Sequence, residues 1–190
     1  MDDKPLIRKT CKRYNEPGDI HELTFSCFQR RAFLSKDRTR SLLRDAILQA
    51  EEKHEFDLWA YVFMPEHAHI LIWPRREPYS IEAILKSIKQ SVARKAVEYL
   101  RRHNPAGLKW LATGEKARPY RFWQAGGGYD RNVFQPATLW NSVQYIHDNP
   151  VRRHLARYAQ EWYWSSAREW EEPGTGPLPI DRESFPTIVL

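Results

Sequence analysis

The sequence predicts an α+β fold in which a central antiparallel sheet carries amphipathic helices. Three observations predict it. Apolar periodicity switches between about two and about 3.6 residues in the order strand, helix, strand, strand, helix, strand, helix. A three-residue turn, Met64-Pro65-Glu66, joins two of the strands and makes them an antiparallel pair. The chain has 190 residues, enough for one domain with a real core, and nothing between its motifs has the composition of a linker.

Residues 1–20 are polar and irregular, with Pro5, Pro17 and Gly18, and read as an N-terminal extension. His21 to Phe28 alternates, with Leu23, Phe25 and Cys27 on one face, and is the first strand. From Asp37 to His54 the positions Leu42, Leu43, Ala46, Ile47 and Ala50 recur at helical spacing. Phe56 to Phe63 is a second strand, and the third follows the Pro65 turn. Ser80 caps a helix whose buried stripe is Ile81, Ile84, Leu85, Ile88 and Val92 and which reaches about Arg102. Asn104 to Pro119 reads as a long irregular connection, and Arg121-Phe122-Trp123-Gln124 as a short strand. Gly126-Gly127-Gly128 permits tight geometry or a close approach but lacks the spacing of a dinucleotide fingerprint. Pro136 to Asn149 is a helix with Leu139, Val143 and Ile146 inward. Pro150 is expected to end it, with Val151 to Tyr158 resuming as a short helix. Residues 171–190 form an irregular tail, so the domain proper is 21–170.

The net charge of +6 suits a polyanionic partner. Aromatic residues make up 13% of the chain, including eight Trp and nine Tyr. Rings interleaved with cations fit single-stranded nucleic acid, although most Trp residues are expected in the core. Two cysteines, Cys11 and Cys27, give neither a disulfide framework nor a Cys-x-x-Cys zinc motif. No apolar run approaches the ~20 residues of a membrane span, and the N-terminus lacks a signal-peptide core. A cytoplasmic, nucleoid-associated protein is expected.

The chemistry concentrates in Met64-Pro65-Glu66-His67-Ala68-His69-Ile70-Leu71-Ile72-Trp73. Strand alternation puts His67 and His69 on one face, about 6–7 Å apart, with Ala68, Ile70 and Ile72 toward the core. Two imidazoles there suit one metal ion, or else take solvent and structural hydrogen bonds. Further ligands are sought in Gln144-Tyr145-Ile146-His147-Asp148-Asn149-Pro150. Tyr145 and Asn149, at i and i+4, share a helix face offset from the Leu139/Val143/Ile146 stripe. The Asn149 amide oxygen is a hard donor suited to Mg²⁺ or Mn²⁺. Glu66 could support the histidines or face solvent, and His147 reads as structural or DNA-contacting.

The paired histidines resemble the His-hydrophobic-His motif of the HUH single-strand DNA endonucleases. Tyr145-Ile146-His147-Asp148-Asn149-Pro150-Val151-Arg152 resembles the single-tyrosine helix of the REP-associated tyrosine transposases within that superfamily. Leu23-Thr24-Phe25-Ser26-Cys27, Arg121-Phe122-Trp123-Gln124 and Trp162-Tyr163-Trp164-Ser165-Ser166-Ala167 are similar to the same family, and the likeness runs from about residue 14 to 170. The resemblance implies a ferredoxin-like HUH fold with helices mainly on one face. It implies a divalent metal, Mg²⁺ or Mn²⁺, on His67, His69 and Asn149. It further implies that Tyr145 attacks a DNA phosphate to form a 5′-phosphotyrosine and free a 3′-OH, and that the substrate is single-stranded DNA near hairpin-forming repeats. Arg30, Arg31, Arg75, Arg76, Lys86, Lys89, Arg152 and Arg153 are the candidate phosphate contacts.

Two other readings stand beside this one. A catalytically silent hairpin DNA- or RNA-binding protein would have a damaged triad, whereas both histidines and Tyr145 are present. A metal hydrolase using water would want a carboxylate cluster that the local sequence lacks. A homodimer sharing tyrosine helices and a monomer with a complete site are both open.

Overall fold

The computed structural model describes residues 15–187. Most of the expected N-terminal extension, with Cys11, and the last three residues of the tail lie outside that range. The elements are β1 (Ile20–Ser26), α1 (Asp37–His54), β2 (Phe56–Phe63), β3 (His67–Pro74), α2 (Ile81–His103), β4 (Tyr129–Val133), α3 (Pro136–Arg152) and a short α4 (Ala167–Glu171). The four strands form one antiparallel sheet in the order β2-β3-β1-β4. With the order βαββαβ this is the ferredoxin-like arrangement.

The pleat divides the core in two. Leu23, Phe25 and Cys27 of β1 and Ala68, Ile70 and Ile72 of β3 meet the buried stripes of α1 and α2 on one face. The Ser80 hydroxyl accepts from the Ala83 amide and starts α2 as expected. On the other face Leu139, Val143 and Ile146 of α3 pack on Trp59, Val62 and Leu71. The two long helices therefore share one face, and α3 crosses the face that carries the histidines.

Three expectations change. Pro150 does not end α3. Proline removes one N–H and biases the preceding residue away from helix, yet Asn149 and Pro150 are both buried and the Arg153 amide bonds back to the Asn149 carbonyl at 3.2 Å. Tertiary packing carries the helix past the proline, to Arg152. No new helix then forms over 151–158; the chain turns after Arg152. The fourth strand is Tyr129–Val133, whereas Arg121–Gln124 makes only an isolated bridge, Cys27 to Trp123.

Sheet edge β2 is buried at every position. Its outer backbone is met by the Phe63 amide to the Trp164 carbonyl at 2.8 Å and the Ser166 amide to the Tyr61 carbonyl at 2.9 Å. The tail closes the rest: Asp181 exchanges two bonds with Leu58, through its amide and its carboxylate. An edge covered in this way offers no template for a foreign strand. The Tyr61 hydroxyl donates to the Leu178 carbonyl at 3.0 Å and accepts from its amide at 3.2 Å. Tyr61→Phe leaves both buried backbone groups unpaired, so a loss of about 1–3 kcal/mol is expected in urea denaturation.

Candidate active site

The register between β1 and β3 builds one wall of the site. Thr24 lies opposite His69 and Ser26 opposite His67, and Tyr129 of β4 lies beyond Thr24. All of these face α3. His67 and His69 stand edge to face with ring centroids 4.9 Å apart, closer than their strand spacing because the side chains lean together. The Thr24 hydroxyl is 2.8 Å from Nδ1 of His69. Glu66 Oε1 is 3.2 Å from Nδ1 of His67 and accepts a second bond, from the Arg153 guanidinium at 2.9 Å. On each ring Nδ1 is occupied, which leaves Nε2 as the nitrogen to offer a ligand.

Burial disfavours the charged form of both imidazoles. Burial lowers the pKa of His69 to about 3, with the charge of His67 adding to the effect. Burial also lowers His67; Glu66 opposes that, and Arg153 and Arg30 reinforce it. A neutral ring keeps its lone pair, as metal ligation requires.

The other wall is α3. The Tyr145 ring meets the His69 ring edge to face at 5.7 Å. Two turns later Arg153 reaches Glu66. Asn149 is four residues from each and shares their face. Its amide nitrogen donates to the Tyr145 carbonyl at 2.8 Å, so its oxygen is the atom available to a cation. The Arg152 guanidinium lies 5.2 Å from the centre of the Tyr145 ring. The continuation of the helix past Pro150 is what brings both arginines here.

Between the walls lies a cavity of about 440 Å³ lined by Glu22, Thr24, His69, Tyr129, Arg131 and Tyr145, among others. Sequence reasoning missed Thr24 and Glu22. Glu22 is buried, accepts from the Ser142 hydroxyl at 2.9 Å and faces Arg131 at 3.6 Å. The signal that could have found both is the two-residue period of β1, which puts Glu22 and Thr24 on the histidine face once β1 and β3 are paired. Among the described residues, no group of three or more His, Cys, Asp and Glu side chains could hold a metal.

Gly128 fixes the wall from behind. Its φ is +80°, and a Cβ there would lie 2.2 Å from the Thr24 carbonyl oxygen. Gly128→Ala must displace the β1 backbone that carries Thr24. We expect a cost of about 1–3 kcal/mol in denaturation.

Of the other expected residues, Arg152 and Arg153 lie at the site, and Arg30 is close enough to disfavour a proton on His67. Arg75 and Arg76 sit past the far end of β3 and pair with Asp57 at 2.8 Å and Glu55 at 3.3 Å. Lys86 and Lys89 line a separate groove on α2 with Gln124, Gly126 and Gly127. His147 bonds the Ser166 hydroxyl at 2.8 Å and has its pKa pushed down to about 4 by burial, which gives it a structural place between α3 and the β2 edge.

The sequence and the fold have counterparts among known proteins. A Haemophilus influenzae protein named "Putative REP-associated tyrosine transposase" is 26% identical, over 69% of this chain and 74% of its own length. A solved structure of a REP-associated tyrosine transposase bound to a REP hairpin shares the fold, with a TM-score of 0.67 over 94% of this chain and 98% of that chain at 19% identity. Residues 20–149, from the first residue of β1 to Asn149, match the family described as "Transposase IS200 like", and the chain therefore belongs to the IS200-like transposases.

Proposed function

We propose that this chain is a metal-dependent endonuclease and strand transferase of the REP-associated tyrosine type, acting on single-stranded DNA beside hairpin-forming repeats. The observation that carries the reading is the Tyr145 ring standing 5.7 Å from His69, on the helix face that also presents Asn149.

His67 and His69, through Nε2, and Asn149, through its amide oxygen, are the residues to hold a divalent ion. Two neutral imidazoles, a hard amide oxygen and no thiolate favour Mg²⁺ or Mn²⁺ over structural zinc. When bound, the ion supplies Lewis-acid polarisation of a phosphate oxygen and neutralises developing charge. Glu66 and Thr24 hold the two rings in orientation through Nδ1. The Tyr145 oxygen forms a bond to phosphorus as the P–O3′ bond breaks; the phenol loses its proton and the departing 3′-oxygen gains one. The 5′-phosphotyrosine keeps the bond energy, so a 3′-OH can reverse the step without ATP. Arg152 and Arg153 put positive charge where the phosphate would enter. Tyr145 already stands beside His69 within one chain, which favours a nucleophile acting in cis.

Incubation with a panel of hairpin oligonucleotides carrying single-stranded flanks, plus Mg²⁺ or Mn²⁺, tests the reading. A denaturant-resistant protein–DNA adduct that chelator prevents is expected. Nicked DNA without any adduct would instead favour hydrolysis by water.

A further inference from the structure

Seven of the eight tryptophans pack into the two core clusters. Trp110 does not: it closes the short 3₁₀ turn Pro105–Trp110 after α2 and is 54% exposed. Its ring is flanked by the Arg31 guanidinium at 5.4 Å and the Lys109 ammonium at 5.2 Å. It stands on the rim of a cavity of about 580 Å³ between α1, the end of α2 and the 3₁₀ turn. Leu42, Leu100, Leu111 and Phe122 give that cavity apolar walls, and Arg31, Lys36 and Arg38 are its charged lining residues; among the described residues no carboxylate lines it. Arg38 lies 3.7 Å from the centre of the Tyr99 ring. An apolar slot with an exposed indole on a cationic rim has the chemistry of a nucleobase site, with rings for the base and guanidinium groups for phosphate.

The slot and the candidate active site share one loop. The chain from Cys27 to Leu34 joins them: the Cys27 amide bonds the Glu66 carbonyl and the Leu34 amide the Pro65 carbonyl, each at 2.8 Å. Arg30 on this loop is near enough to His67 to lower its proton affinity. The next residue, Arg31, donates to the Trp110 carbonyl. Gln29 and Arg30 are both held at positive φ, 55° and 52°, a costly conformation for two side-chain-bearing residues in succession. The loop thereby carries Arg31 to the slot while its backbone stays bonded to the turn that precedes His67.

We propose that the Trp110 slot is a second DNA subsite, which docks an unpaired base of the strand leaving the His67 end of the active site. The proposal rests on the single-stranded DNA reading above. The test uses the full chain carrying Tyr145→Phe, without metal, so that binding is read apart from chemistry. Anisotropy with a flanked hairpin oligonucleotide should show Trp110→Ala binding about 5- to 150-fold more weakly, the range expected when one base stack is removed. Trp110→Phe should restore most of the affinity. Lys36→Ala with Arg38→Ala should flatten the salt dependence by roughly 0.7 in log–log slope for each phosphate no longer neutralised. Iodouracil placed in the flank should photocross-link to the peptide that contains Trp110. Parent-like affinity of a folded Trp110→Ala chain, with no cross-link there, overturns the subsite and leaves the catalytic reading standing. Failure of the Tyr145→Phe chain to bind any flanked hairpin overturns both.

Discussion

Tyr145→Phe should abolish the covalent protein–DNA adduct completely while leaving DNA binding and stability unchanged. The substitution removes one oxygen. The Tyr145 residue is 41% exposed, and its ring meets His69 at 5.7 Å and Arg152 at 5.2 Å through its edge and face. Phe keeps both interactions, so neither α3 nor the histidines should move. What disappears is the proposed nucleophile, and the new side chain cannot replace it: a phenyl ring carries no oxygen to attack phosphorus. The assay is a denaturing gel of labelled oligonucleotide with protein and Mg²⁺ or Mn²⁺, beside an anisotropy titration. Retained nicking by the Phe variant would favour attack by water, and retained adduct would assign the nucleophile elsewhere.

The second large effect is expected at His69. His69→Ala removes a buried imidazole whose Nδ1 is fixed by Thr24 and whose Nε2 is one of the two nitrogens of the proposed metal site. Loss of a residue that merely orients a metal ligand costs about 10- to 100-fold in affinity or activity, so loss of the ligand itself should exceed that range. Cleavage should fall by more than about 100-fold, and isothermal titration with Mn²⁺ should lose its heat. Thr24→Val, which keeps His69 and removes only its partner, should fall inside the range of about 10- to 100-fold. A His69→Ala chain that binds Mn²⁺ like the parent would remove His69 from the metal site.

The strongly periodic parts of this chain are legible because burial writes itself into apolar spacing. β2 and β3 and the three helical stripes carry that signal, and α1 has the bounds its pattern implies. β4 carries none. Tyr-Asp-Arg-Asn-Val is a sheet edge whose inner positions are polar except for Val133 at its end, with Asp130 bonded to His21 at 2.9 Å, so no run of alternating polar and apolar residues appears. Trp123, expected in a strand, is instead a buried packing residue that donates its indole N–H to the Lys89 carbonyl.

At the site the division is similar. The histidine pair and the Tyr145/Asn149 pair are local spacings, readable from one strand and one helix. Their neighbours are not. Thr24 and Glu22 join them only through the pairing of β1 with β3, and Arg153 only because α3 runs through Pro150. That override comes from the burial of Asn149 and Pro150, which no local rule for the residue before proline contains.

Tyr145 is tested as the nucleophile most directly by digesting the denatured protein–DNA adduct with nuclease and protease and finding, by mass spectrometry, the peptide that keeps a nucleotide. A 5′-linked nucleotide is expected on Tyr145 and on no other residue. A nucleotide on a different side chain, or free 5′-phosphate ends with no modified peptide, would contradict it.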